Sequence, residues 1–265
     1  MSSSRNLLDP RAGGVADAAA VRCGRRHPAT AAGAALVGGY VVVASAMMLI
    51  GLLLTKVLVD HGVGSFDQHI SVWFVDHRTQ GFNDLTKYVT YLANTEPVVA
   101  IAAVVTGVLL VRRRWREAIF LVSSLVIEVT VFLSVTYVIA RPRPDVERLN
   151  ATPGTSGFPS GHAAASVVLW VGIAIVVTVV TTNVLARVVA WLPVAVMTWL
   201  VPLARVYRGM HYTTDVIAGL LLGVAALCVG CFVARTWSAA VERRRAADPL
   251  RDASPLRAEM AGVSR

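Results

Sequence analysis

The sequence predicts an all-α fold: a six-helix transmembrane bundle with an interfacial amphipathic helix between the first and second spans. Three observations carry this reading. Hydrophobic residues make up 55% of the 265 residues and charged ones only 15%, with a mean hydropathy of +0.62, more apolar than a water-soluble domain of that length. The apolar residues gather into runs close to the ~20 helical residues that cross a hydrocarbon core of about 30 Å. Lys and Arg, in excess by a net charge of +9, cluster at the ends of those runs, which is a topology signal and not a nucleic-acid surface.

Taken in order, residues 1–30 scatter Arg5, Arg11, Arg22, Arg25 and Arg26 among Ala, Gly and Ser. They read as a disordered basic cytoplasmic tail. The six-span domain occupies 31–235, and its spans are expected at 32–59, 97–111 (entering as early as Tyr88), 118–140, 162–181, 188–203 and 214–234. Between the first two, Phe66, Ile70, Trp73, Phe74 and His77 recur at helical spacing among acidic residues, which suits a helix lying in the interface. Residues 236–265 read as a polar cytoplasmic tail. Cys228 and Cys231 fall inside the last span and Cys23 in the first tail; they imply helix packing and no disulfide framework.

Placing both termini in the cytoplasm gives that side Arg112 to Arg116, Arg187 and the Arg243 to Arg245 run, as the positive-inside rule asks. The loops at 141–161 and 204–213 then share the opposite face. Three polar clusters meet there by topology alone. Arg141 and Arg143 alternate with prolines that stiffen the arm carrying them, and guanidinium forks bind pairs of phosphate oxygens. Pro159, Ser160, Gly161 and His162 open a helix whose free amides and dipole favour an anion. His211 and Asp215 are four residues apart, on one face if helical, with Arg205 and Arg208 just before them. Taken singly, each cluster is also consistent with a lipid-head-group anchor, a capped helix start or a solvated His–Asp pair. Together they assemble a nucleophile, an orienting acid, a second histidine, fixed cations and helix amides, the parts of phosphoryl transfer without a metal.

At these residues the sequence resembles the type 2 phosphatidic acid phosphatase superfamily, which includes lipid phosphate phosphatases and vanadium haloperoxidases. Arg143-Pro144, Pro159-Ser160-Gly161-His162, and Arg205, His211 and Asp215 match the family's three motifs in order and spacing. The resemblance spans roughly residues 84–230. It implies that His211 attacks phosphorus and becomes phosphohistidine while Asp215 orients it, and that His162 protonates the leaving alkoxide and then activates water. It further implies that Arg143, Arg205, Ser160 and the Gly161 amide bind the phosphoryl oxygens. Two positions depart from the pattern: Thr136 stands where the family has lysine, and Ala204 where it has serine. Arg141 or Arg208 is the expected replacement for the missing cation.

Glu128 is a carboxyl in the middle of the third span, and a carboxyl at such depth faces the bundle interior. It is expected to be protonated, or paired with a polar group inside the bundle, beneath the phosphate site. The function expected is hydrolysis of a phosphate or diphosphate monoester of a lipid at the outer face of a cell membrane, on phosphatidate, phosphatidylglycerophosphate or a polyprenyl (di)phosphate. The partners are that lipid and the bilayer, with no nucleic acid, no cofactor and no metal. A phosphotransferase that passes the group to a hydroxyl, and a weakly catalytic binding or transport protein, are the other readings.

Overall fold

The computed structural model describes residues 7–23, 27–151 and 154–247. Among these every regular element is helical. In chain order they are α1 (Val15–Cys23), α2 (Pro28–Lys56), a short 3-10 turn (Leu58–His61), α3 (Val63–Asp76), α4 (Gln80–Tyr91), α5 (Thr95–Val111), α6 (Trp115–Ile139), α7 (Gly161–Val180), α8 (Val184–Tyr207) and α9 (Thr213–Ala247).

Five of these, α2 and α6 to α9, are long and apolar enough to cross a membrane, and α4 with α5 forms a sixth candidate bent by 45° at residues 92–94. The second span expected from the sequence corresponds to α5. With 17 residues it is short for a span, so the bent α4–α5 pair supplies the length. Outward faces are apolar as well: Val37, Val42 and Leu49 on α2 and Leu185, Leu192 and Trp199 on α8 are all exposed. Helices that are hydrophobic all round belong in lipid, and the chain is an integral membrane protein.

The centre of the bundle is α6, α7 and α9, with α2 and α8 flanking it. Phe120, Leu121, Ile127, Val131 and Val135 of α6 pack with Val167 and Val168 of α7 and Leu222 and Ala226 of α9. Lipid tails are as apolar as these side chains, so association depends on close fit. Glycines on α9 supply it. A Cβ at Gly219 would stand 2.3 Å from the Ser160 carbonyl oxygen, and one at Gly223 would stand 2.7 Å from Val167 Cβ. The start of α7 is thereby held directly against α9.

The boundaries of the tails differ from expectation. Residues 15–23, read as disordered, form α1, because Ala16 and Ala20 are small enough to bury and Ala20 packs with Ala31 of α2 and Ala239 and Ala240 of α9. Asp17 of α1 pairs with Arg243, and α9 runs on to Ala247, thirteen residues past the expected end of the last span. Residues 1–6, 24–26 and 248–265 of the two expected tails lie outside the described residues. The segment between the first two spans holds two helices, α3 and α4, where one was expected. α3 packs on the ends of α8 and α9, and α4 lies along α8.

Candidate active site

The site is assembled where α6 ends and α7 and α9 begin. Ala140, at the end of α6, takes a left-handed conformation (φ 43°) that turns the chain into the Arg141–Pro144 arm. Arg143 is buried, and its guanidinium donates to the carbonyls of Met210 (2.6 Å), Thr155 (3.3 Å) and Ser156 (3.2 Å). One of its Nη atoms lies 3.4 Å from His211 Nε2.

His211 is 3% exposed. Its Nδ1–H donates to the Gly157 carbonyl at 2.7 Å, which leaves Nε2 unprotonated, its lone pair accepting from Arg143. Burial, and then the Arg205 and Arg143 guanidiniums, hold the imidazole well below its ordinary pKa. The ring is therefore neutral, the form a nucleophile needs.

The expected His211–Asp215 pair is not what orients it. α9 begins at Thr213, so His211 precedes the helix and the four-residue spacing does not bring the two side chains together. Asp215 instead reaches back to the Tyr212 amide (2.9 Å), as an acidic residue in a first turn does in a capping box. It also pairs with Arg141. The backbone carbonyl of Gly157 takes the orienting role, and Asp215 lies behind it, 3.4 Å from where a Gly157 Cβ would stand.

Neither expected replacement cation is free. Arg141 bridges Asp215 and Asp67 (2.9 Å), also meets the Thr214 hydroxyl at 2.8 Å, and lies 4.7 Å over the Tyr212 ring. Arg208 is bound to the carbonyls of Asn83 (2.9 Å) and Leu149 (2.9 Å), the Thr86 hydroxyl and Asn150 Oδ1. Both tie loops and helices together, which leaves Arg143 and Arg205 as the two of these four arginines that face the cavity at this end. Arg205, in the last turn of α8, is 4% exposed, and its Nε has no hydrogen-bond partner among the described residues. The Ser160 and Thr136 hydroxyls are likewise buried without a partner among them. Ser160 holds the N-cap position of α7 but its side chain makes no cap bond.

A cavity of about 690 Å³ opens at this end and runs down between α5 and α6. Arg143, Arg205, His162, His211 and Gly161 line its polar end, and Val98, Ala102, Leu125, Val129 and Phe132 line the rest. Thr136, Ser160, Arg141, Arg208 and Asp215 are not in its wall. His162 is held by Asn94, with Nε2 to Oδ1 at 3.0 Å. Glu128 is in the wall, 3% exposed, and of its two expected states the pairing with a polar group is absent: it makes no hydrogen bond or ion pair among the described residues.

Sequence reasoning missed Asp67, Asn94 and Gly157. Asp67 is fully buried on α3, where it accepts from Arg141 and from the Thr214 amide (3.2 Å). Its signal was an acidic residue next to Phe66 and four before the buried Ser71. Asn94 stands as a helix-capping residue just before α5, at the outer end of a span. A carbonyl such as that of Gly157 leaves no signal in side-chain chemistry.

Residues 116–239 match the model of the PAP2 superfamily. No curated protein matches the chain. Among solved structures, the first transmembrane PAP2 type phosphatidylglycerolphosphate phosphatase from Bacillus subtilis is similar with a TM-score of 0.56 and 24% identity, over 74% of this chain and 92% of that one. LpxE from Aquifex aeolicus follows with a TM-score of 0.48 and 19% identity, over 61% and 92%. The matched stretch runs from the start of α6 to Ala239 of α9 and holds all three polar clusters: by that match residues 116–239 belong to the PAP2 superfamily.

Proposed function

We propose that the protein is a membrane lipid phosphatase that hydrolyses a phosphate or diphosphate monoester of a lipid through a phosphohistidine. The observation that carries this is the neutral His211 Nε2, 3.4 Å from Arg143, at the polar end of an otherwise apolar cavity. A phosphate fits between Arg143, Arg205 and the amides at the start of α7, while its lipid tail fits the groove between α5 and α6. Membership in the PAP2 superfamily, and the phosphatase named for the Bacillus structure, support the same chemistry.

In the first step the Nε2 lone pair forms a bond to phosphorus and the bond to the lipid oxygen breaks, with His162 giving that oxygen a proton. In the second, water attacks phosphorus, His162 takes its proton, and the P–N bond breaks to release inorganic phosphate and free His211. Arg143 and Arg205 face the charge that grows on the phosphoryl oxygens, which is where fixed cations lower a barrier most. Gly157 holds the His211 ring, and Asn94 holds the His162 ring. The site lies on the extracytoplasmic face of the plasma membrane, with both termini in the cytoplasm.

The test is phosphate release by the detergent-purified protein over phosphatidate, phosphatidylglycerophosphate and polyprenyl phosphates, beside His211→Ala. Loss of the nucleophile lowers kcat/KM by more than about a thousandfold. Equal release by both proteins would end the phosphohistidine mechanism.

A further inference from the structure

Among the described residues of the cavity wall, Glu128 is the ionisable side chain that phosphate chemistry leaves unused. It sits mid-span on α6 among the apolar wall residues Val98, Ala102, Leu125 and Val129, 3% exposed and without a partner among the described residues. A polar group in hydrocarbon costs free energy unless something bonds to it, and this one faces the cavity.

Its depth says which part of a ligand would meet it. Phe132, one turn nearer the site on α6, lies against Gly161, with a ring atom 3.0 Å from where a Cβ would stand. Glu128 is thus about one helical pitch, ~5.4 Å, further from the anion end. In a diacylglycerol phosphate the level just below the phosphate is the glycerol unit and its ester carbonyls. In a polyprenyl phosphate it is bare hydrocarbon. A carboxylic acid offers one O–H donor, and an ester carbonyl only accepts.

We propose that Glu128 is a specificity residue whose carboxylic acid donates a hydrogen bond to an ester carbonyl of a diacylglycerol phosphate, selecting that class over polyprenyl phosphates. This rests on the lipid-phosphate reading above and adds the substrate class to it.

The experiment uses the full chain in detergent with dioleoyl phosphatidate, its diether analogue, which lacks only the carbonyls, and a polyprenyl phosphate. Two quantities are read on each preparation: phosphate release and the rise in Tm that each lipid causes. Wild type is expected to favour diester over diether by about tenfold, the scale of one hydrogen bond. Glu128→Leu brings that ratio near one, and Glu128→Gln, whose amide still donates, keeps most of it. Glu128→Met serves as the apolar variant if the leucine form does not fold. Equal use of diester and diether by wild type, or a wild-type ratio in the apolar variant, overturns the proposal. If no lipid releases phosphate, the phosphatase reading fails, and the Tm ratios still decide the role of Glu128.

Discussion

At the scale of single residues, the proposed chemistry depends on keeping one imidazole neutral beside two guanidiniums. Burial is the larger cause of the lowered His211 pKa and the positive charges of Arg205 and Arg143 add to it, so the neutral ring persists as pH falls through the ordinary imidazole range near 6.5. The acid limb of kcat/KM belonging to His211 is expected well below that value, with most activity kept at about pH 5.5. Arg143→Gln removes one repelling charge and moves the limb part of the way back up. Stability follows the same sign: the unfolded chain takes a proton on this histidine that the fold refuses, so stability declines as pH drops below about 6.5. A pH–rate profile of both proteins checks it, and a limb at or above 6.5 in wild type would contradict the buried geometry. Residue types were legible in the sequence because Arg, His and Ser declare their chemistry. Their pairings were not. Whether Arg141 meets a phosphate or two carboxylates depends on where α3 packs, and Asp67 is 74 residues away from it in the chain.

At the scale of elements, the spans were legible because each is a run of apolar residues bounded by loops. Hydropathy does not record where one helix ends and the next bends away, which is why the second span was expected at 97–111, entering as early as Tyr88, and not as the bent pair of α4 and α5. It is equally blind to the reach of α9 past residue 234, where Ala239 and Ala240 bury against α1 and α2. The joint that most needs an explanation is α3 to α9, and Arg141 makes it. Its guanidinium lies between Asp67 of α3 and Asp215 of α9, all three nearly inaccessible. The group sets two carboxylates against one guanidinium, so losing the Asp67 charge leaves Arg141 paired with Asp215 and costs the charged hydrogen bond that reaches α3, about 1.5–3 kcal/mol. Asp67→Asn is therefore expected to lower the Tm in detergent by several degrees and, by loosening the arm that carries Arg143, to lower kcat/KM as well. Thermal unfolding beside phosphate release measures both. A Tm equal to wild type would mean that α3 is not braced through Arg141.

At the scale of the whole molecule, orientation in the membrane decides which side meets the substrate. The two ends of the bundle both carry arginine, but in different states. Arg112, Arg113 and Arg114, in the turn between α5 and α6, are exposed. At the other end Arg141, Arg143, Arg205 and Arg208 are all buried, and Arg78 donates to the carbonyls of Glu147 (2.8 Å) and Tyr207 (3.2 Å). A guanidinium folded into a network is fixed for structure or chemistry, whereas a solvated one next to a span is what retention in the cytoplasm acts on. On the proposed orientation the exposed set marks the cytoplasmic end and the buried set the outer one, where Arg148 alone of the arm's arginines is exposed. α6 joins them over 25 residues, about 38 Å at 1.5 Å per residue, enough to put its ends on opposite sides of a bilayer. Asp145, exposed on the arm past α6, and Arg114, exposed just before it, are suitable reporters. In a background with Cys23, Cys228 and Cys231 replaced, an impermeant maleimide added to intact cells is expected to label Asp145→Cys and to label Arg114→Cys only after lysis. The reverse pattern would turn the protein over in the membrane and open the cavity to lipids of the inner leaflet.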